Sequence, residues 1–274
     1  ARLQETEQMS RRPSSYDGVA VCAPVTVPYA RFSPESAHWW AGRALQQLAQ
    51  VAGLQPADID GFCFSSFSSG PDSAVGMVQH LGLTPRWLDH IPTGGASGVM
   101  ALRRAARAVQ CGDADLVVCL AADTNQIDSF RHSLAGFSRF SLITDAYMRR
   151  FGITRADFGK LCVAQRANAG SNPLALQRKP LTLDAYLAAR PIADPVHLFD
   201  CVMPCAGAEA FIVTTPEIAA ERGLAAATIM ATIERHNAFP QDPVQYRGGW
   251  AMDIDGFWDA AGIAPTDVDT LQVY

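Results

Sequence analysis

The chain has 274 residues, 49% of them apolar and 18% charged, with a formal net charge of −5. That make-up belongs to a globular protein with a sizeable core, in one large domain or two smaller ones. It offers no basic face for nucleic acid, and no apolar run approaches the ~20 residues of a membrane helix.

Residues 1–17 are polar and lack the apolar centre of a secretory leader. They read as a flexible tail. GVAVCAPVTVPYAR (18–31) then opens with a buried-strand run. SPESAHWWAGRALQQLAQVAGL follows with apolar residues at helical spacing; Ser33 or Ser36 suits its cap, and Gly53 its stop. PADID makes a turn and GFCFSSFS the next strand. HIPTGGASGVMALRRAARAVQCGDADLVVCLAAD reads as strand end, glycine turn, helix and strand. Its helix carries Leu102, Ala105, Ala106 and Val109 on one face, and its last strand covers Leu116–Ala122. Strands alternating with helices predict a mainly parallel α/β sheet covered on both faces.

The pattern changes at about residue 125. Residues 125–200 are helical and loop-like, with Asn-Pro, Lys-Pro, Arg-Pro and Asp-Pro steps, as expected of an inserted cap domain. AEAFIVTT (208–215) is a returning strand within a 201–226 linker region, and Ala227–Ile233 another strand. The expected units are therefore an N-terminal half (18–124), the insertion (125–200), the return segment (201–226) and the start of a second half (227–274).

An internal repeat supports the two halves. AGLQPADIDGFCF (52–64) aligns with AGIAPTDVDTLQVY (261–274). Gly53, Pro56, Asp58 and Asp60 recur as Gly262, Pro265, Asp267 and Asp269. The second copy stops on its second strand, so a further segment beyond Tyr274 is expected.

The seven cysteines are dispersed and odd in number, which suits buried thiols in a reducing cytoplasm. Cys201 and Cys205 lack a second pair at structural-zinc spacing, and the six histidines show no HxH or HExxH, so no metal site is expected. Lys160 and Lys179 are the only lysines, and neither sits in an apolar run. That disfavours Schiff-base catalysis.

DIDGF, the GGASGVMALRRAARAVQCGDADLVVCLAAD stretch, RANAGSNPLA, ARPIADPVHLFDC and AEAFIVTT are similar, in order and spacing, to the sterol-carrier-protein/lipid-transfer branch of the thiolase superfamily. The resemblance runs from about Gly18 to Tyr274. It implies a duplicated α/β/α/β/α fold with an inserted loop domain, and a homodimer. Thiolases place their nucleophilic cysteine in a C-A-[ST]-G turn at a helix N-terminus, where the helix dipole lowers its pKa. Here that turn reads Gly95-Ala96-Ser97-Gly98. The departure is shared with cysteine-free aldolases of the branch, which cleave steroid side chains activated as β-hydroxyacyl-CoA thioesters. The resemblance therefore implies a carbon–carbon lyase whose CoA is part of the substrate, with no separate cofactor and with a small DUF35 OB-fold protein as partner.

Retro-aldol cleavage needs a base for the β-hydroxyl and a stabiliser for the thioester enolate. The Gly94–Gly98 turn, with Gly94, Gly95, Ala96, Ser97 and Gly98, suits the second role through free N–H groups; a plain glycine turn is the alternative. Ser97 reads as a helix cap. Tyr274 stands where the thiolase pattern carries its Asn-Glu-Ala-Phe motif and is the expected acid/base; an aromatic packing in the core is the other reading. His236 follows a strand and either relays a proton, binds the substrate oxygen or is structural. Tyr246 and Trp250 are candidates for the same mouth. Arg178, Lys179 and Arg190 could meet CoA phosphates or form a solvated face. Two rivals remain: a thiolase-like acyltransferase whose cysteine lies elsewhere (Cys63 or Cys201), and a non-catalytic acyl-CoA-binding or scaffold subunit.

Overall fold

The computed structural model describes residues 15–69, 73–125, 140–244 and 246–272. Its first half follows the expected order: β1 (Ala20–Ala30), α1 (Ala37–Ala52), β2 (Gly61–Ser65), α2 (Ser73–Leu81), β3 (Trp87–His90), α3 (Ser97–Cys111) and β4 (Leu116–Asp123). The insertion contributes α4 (140–151), α5 (Arg155–Ser171), α6 (Leu183–Leu187) and a small hairpin of β5 (Pro191–Ala193) and β6 (Val196–His197). The chain returns as β7 (Ala206–Thr214), α7 (Pro216–Glu221) and β8 (Ala226–Thr228), and α8 (Ile254–Ala261) lies near the end.

The sheet order is β3-β2-β4-β7-β1-β8. Among the described residues, only β3, β2 and β4 pair in parallel; β7 is antiparallel to both β4 and β1, and β8 to β1. The sheet is thus mixed rather than mainly parallel. The cause is the insertion: the chain leaves β4 at one edge and re-enters β7 from that same edge, so no crossover turns it round. Two successive reversals, β4 to β7 and β7 to β1, restore the direction of β1, whose end lies at the same end of the sheet as those of β2, β3 and β4.

Apolar residues split between the two faces. Trp40, Ala41, Ala44 and Leu48 of α1 and Met77 of α2 pack with Phe62, Phe64, Val118 and Ile212 on one side. Met100, Ala101, Ala105 and Val109 of α3 pack with Cys63, Val117, Cys119 and Val213 on the other. The helices end as their sequences require. Ser36 Oγ accepts from the Trp39 amide at 3.2 Å, and Gly112 closes α3 in the left-handed region. Tyr16, within the segment expected as a tail, is only 4% exposed and lies beneath the Arg107 guanidinium, 4.0 Å from its ring centre.

The repeat is visible in three dimensions. Gly53 (φ 62°) follows α1 and Gly262 (φ 67°) follows α8. Each is succeeded by a single 3₁₀ turn, Pro56–Asp58 or Pro265–Asp267. In each turn the aspartate accepts from the backbone three residues earlier, Asp58 from Gln55 and Asp267 from Ala264, both at 2.8 Å. Beyond the turn the copies diverge. Asp60 accepts from the amides of Asp115 and Leu116 and from Arg86, which starts β2 and β4 in register. After Asp269, residues 270–272 are not in a strand. The expected strand Ala227–Ile233 is likewise reduced to Ala226–Thr228, because only these residues have a sheet neighbour among the described ones. Residues 229–235 are instead irregular chain, and Glu234 among them meets Arg103 and Arg104 of α3.

The Asp60 carboxylate satisfies two backbone donors and a guanidinium at once. Asp60→Ala is expected to destabilise the fold by about 1–3 kcal/mol, the cost of stranding such donors. Urea unfolding should show a lower midpoint with an unchanged slope.

Candidate active site

The ends of β2, β3 and β4 lie together, and one carboxylate oxygen ties them. Asp123 Oδ1, at the end of β4, accepts from the amides of Phe67 (2.7 Å) and Ser68 (2.9 Å) and from the hydroxyls of Ser66 (3.0 Å) and Ser68 (2.7 Å). The loop after β2 is thereby wrapped over β4. Its Phe67 ring sits over Gly94, where a Cβ would meet the ring at 3.6 Å. Gly94 adopts φ +72°, a conformation that side chains disfavour.

The Gly94–Gly98 turn is therefore fixed from two directions. Ile91 at the end of β3 accepts through its carbonyl from Ser65 Oγ and from Ser97 Oγ, both at 3.0 Å. Ser97 is buried and spends its hydroxyl on this tie; it does not cap α3, whose preceding residue is Ala96. Gly95, Ala96 and Gly98 remain exposed. The turn is a single 3₁₀ turn, Gly94–Ala96, and the Ser97 N–H donates to the Gly94 carbonyl; it presents backbone with little side chain ahead of α3, whose next first-turn N–H groups lack intrahelical partners.

His236 is held against the same helix. Its Nε2 lies 2.8 Å from Glu234 Oε1, and the two Glu234 oxygens receive Arg104 Nη1 and Nη2 at 3.1 and 3.2 Å. Arg103 approaches Glu234 at 3.5 Å, and Arg104 also faces Asp89 at 3.8 Å. Hydrogen bonds from Arg104 and then His236 hold the Glu234 carboxyl down to about 2. The direction of the segment matters more than any one bond. Thr232 meets Tyr16 beside Arg107, and Glu234 meets Arg104. The chain therefore runs toward the N-terminus of α3. Arg104 is seven residues from Ser97, about 10 Å of helix, and beyond Glu234 the chain bends at 236–238, with Asn237 at φ 48°.

A cavity of about 360 Å³ opens between the end of β1 and the insertion, with three strands separating β1 from β3 in the sheet. Arg31, Arg166 and Arg190 line it, with Phe199, Val202 and Met203 among the apolar walls. Arg190, one of the candidates for CoA phosphates or a solvated face, lines this cavity. Arg178 and Lys179 are exposed and flank the cavity: Arg166 Nη1 donates to the Lys179 carbonyl at 3.2 Å. Tyr246 packs 5.0 Å beneath the Arg150 guanidinium of α4, away from the contacts made by the glycine turn. Trp250 is exposed. Tyr274 lies outside the described residues. Neither alternative cysteine resembles an activated nucleophile. Cys63 is 1% exposed within the sheet, and burial pushes the Cys201 thiol up. Among the described residues, no three His, Cys, Asp or Glu side chains group as metal ligands, and no helix is long and apolar enough to cross a membrane.

Sequence reasoning missed Asp123, Glu234, Arg31 and Arg166. Two signals were present: the acid closing LVVCLAAD at a strand end, and the Glu-Arg-His spacing that puts Glu234 two residues before His236.

No family model matches the chain. It is 28% identical over 270 residues to the 17-hydroxy-3-oxo-4-pregnene-20-carboxyl-CoA lyase of Mycobacterium tuberculosis, covering 85% of this chain and 69% of that protein. It is 30% identical over 193 residues to a steroid side-chain-cleaving aldolase of Thermomonospora curvata, covering 61% of this chain and 49% of the relative. The chain thus spans between half and about two thirds of these relatives. Among solved structures, the Ltp2-ChsH2(DUF35) aldolase superposes with a TM-score of 0.74 at 24% identity, over 92% of this chain and 71% of that one. A monomeric SCP2-thiolase-like protein of Mycobacterium smegmatis gives 0.73 at 15% identity, over 95% and 61%.

The clasp between Arg104 and Glu234 sets a pH dependence. A carboxylate whose folded pKa lies below the ordinary ~4.3 stabilises the folded protein above that value and loses the contribution as pH falls through its lowered pKa. Arg104→Met is therefore expected to melt earlier than the natural protein at neutral pH, with the gap closing between about pH 4.5 and 2. Melting curves across that range check it; a gap independent of pH would contradict the assignment.

Proposed function

This chain has a thiolase-like fold and is related to steroid side-chain-cleaving aldolases, and from that premise we propose that it acts as a carbon–carbon lyase. Its substrate is a β-hydroxyacyl-CoA with a bulky, steroid-type acyl part; its products are a ketone and a short acyl-CoA such as propionyl-CoA. The observation that carries the reading is the open Gly94–Gly98 turn at the head of α3, with glycine at 95 where a thiolase would carry its cysteine.

A base takes the β-hydroxyl proton. The Cα–Cβ bond breaks as the ketone C=O forms, and the electron pair enters the thioester as an enolate. Backbone amides of the turn bind the enolate oxygen; one such donor is worth roughly 10²–10³ in rate. A proton returned to Cα completes the acyl-CoA. Tyr274 is the proposed acid/base, with His236 relaying the proton. The cavity supports an acyl-CoA ligand: Arg31, Arg166 and Arg190 suit phosphates, and its apolar walls suit the pantetheine arm. Arg178 and Lys179 extend the positive rim. CoA enters as part of the substrate, and the scheme uses no separate cofactor. A DUF35 partner is proposed from the likeness to the Ltp2-ChsH2(DUF35) aldolase. A homodimer follows from the family resemblance, and a cytoplasmic setting suits seven free thiols.

The test is product analysis with a steroid β-hydroxyacyl-CoA, with a DUF35 protein present and free CoA left out. Ketone and short acyl-CoA are the expected products. Cleavage only when CoA is added would instead indicate thiolysis, and ligand binding without cleavage in either case a scaffold. Tyr274→Phe is expected to lower turnover by about 10²-fold or more, the low end of general acid–base catalysis; full activity would remove Tyr274 from the scheme.

A further inference from the structure

The proton relay assigned to His236 rests on the lyase reading, and its environment adds a residue to that reading. A carboxylate can only accept hydrogen bonds. With Glu234 Oε1 2.8 Å from Nε2, the neutral imidazole carries its proton on Nε2 and keeps its lone pair on Nδ1. Glu234 is itself immobilised: two guanidinium nitrogens of Arg104 grip both of its oxygens, and its side chain is 18% exposed. The imidazole is 68% exposed and open to a ligand. Other charges around the pair are Arg103 and Arg104 on α3, Asp89 on β3, and the Arg235–Asp253 ion pair beside it.

We propose that Glu234, clamped by Arg104, is a positioning residue that fixes the tautomer of His236 so that Nδ1 receives the substrate proton. In that step the β-hydroxyl proton passes by way of Tyr274 to Nδ1, the Cα–Cβ electron pair goes to the enolate, and the Nε2–H bond to Glu234 steadies the resulting imidazolium. Glu234→Gln preserves size, yet its amide can donate as well as accept. It therefore permits the opposite tautomer.

Two measurements test this. The first is independent of turnover: ¹⁵N NMR of His236 at about pH 8.5, above the ordinary imidazole value near 6.5. The expected result is the Nε2–H tautomer in the natural protein and its loss or mixing in Glu234→Gln. An Nδ1–H tautomer in the natural protein overturns the proposal, whatever the reaction. The second is kinetic, on the complex with its DUF35 partner. Glu234→Gln should lower kcat at least tenfold with KM within about twofold, Glu234→Asp should recover part of it, and adding Glu234→Gln to His236→Asn should cost nothing more. Independent, additive losses would mean that Glu234 does not act through His236. Lack of cleavage by the natural complex would refute the lyase reading while leaving the tautomer result to decide the role of Glu234.

Discussion

A single oxygen at the end of β4 organises the edge where the candidate site lies. Asp123 Oδ1 gathers two amides and two hydroxyls from Ser66–Ser68. Strand ends of a parallel array are open, and loops leaving them diverge unless something gathers them. Here a buried-edge carboxylate does so, and charge-assisted bonds to it are stronger than neutral ones. Its effect reaches the turn indirectly: the bound loop carries Phe67, Phe67 covers Gly94, and Ile91 ties the other side through Ser65 and Ser97. The glycines give the turn its shape, and the neighbouring loop keeps it there.

The segment that brings His236 is not held by a strand ladder. It is held by side chains along α3, from the Tyr16–Thr232 contact to the Arg104–Glu234 clasp. Tyr16 in turn is pinned by Arg107, whose Nη1 also donates to the Ser15 carbonyl at 2.8 Å. One helix therefore serves as core on its apolar face and as a track for another part of the chain on its basic face.

How much of this could be read from sequence depended on whether the cause was local. The helix stops at Gly53, Gly112 and Gly262 and the 3₁₀ turns at Pro56 and Pro265 follow from a few adjacent residues, and both copies of the repeat form them alike. The order of strands and helices up to β4 was legible from periodicity. Strand direction was not, because β7 takes its sense from where a stretch of more than 80 residues brings it back. The extent of β8 was not legible either: alternating apolar residues predicted Ala227–Ile233, yet pairing requires a neighbour, and among the described residues only Ala226, Ala227 and Thr228 have one. At the site, the glycine turn was legible because it replaces a known pattern. Asp123, Glu234 and Arg104 were not, because a charged residue acquires a role only from what folding sets beside it. Ser97 shows the same limit: its place before a helix suggested a cap, while folding brought the Ile91 carbonyl closer.

α3 also acts as a ruler. Its head carries the backbone amides of the turn, and two turns further along, Arg104 grips the carboxylate beside His236. The spacing between these two features is set by helical rise rather than by loop conformation. Helical rise varies little with temperature, ligand or solvent. A substrate spanning the two would therefore meet a fixed gauge. Selection among acyl groups of different bulk would then fall to the loops around the edge, which can change shape while the gauge holds.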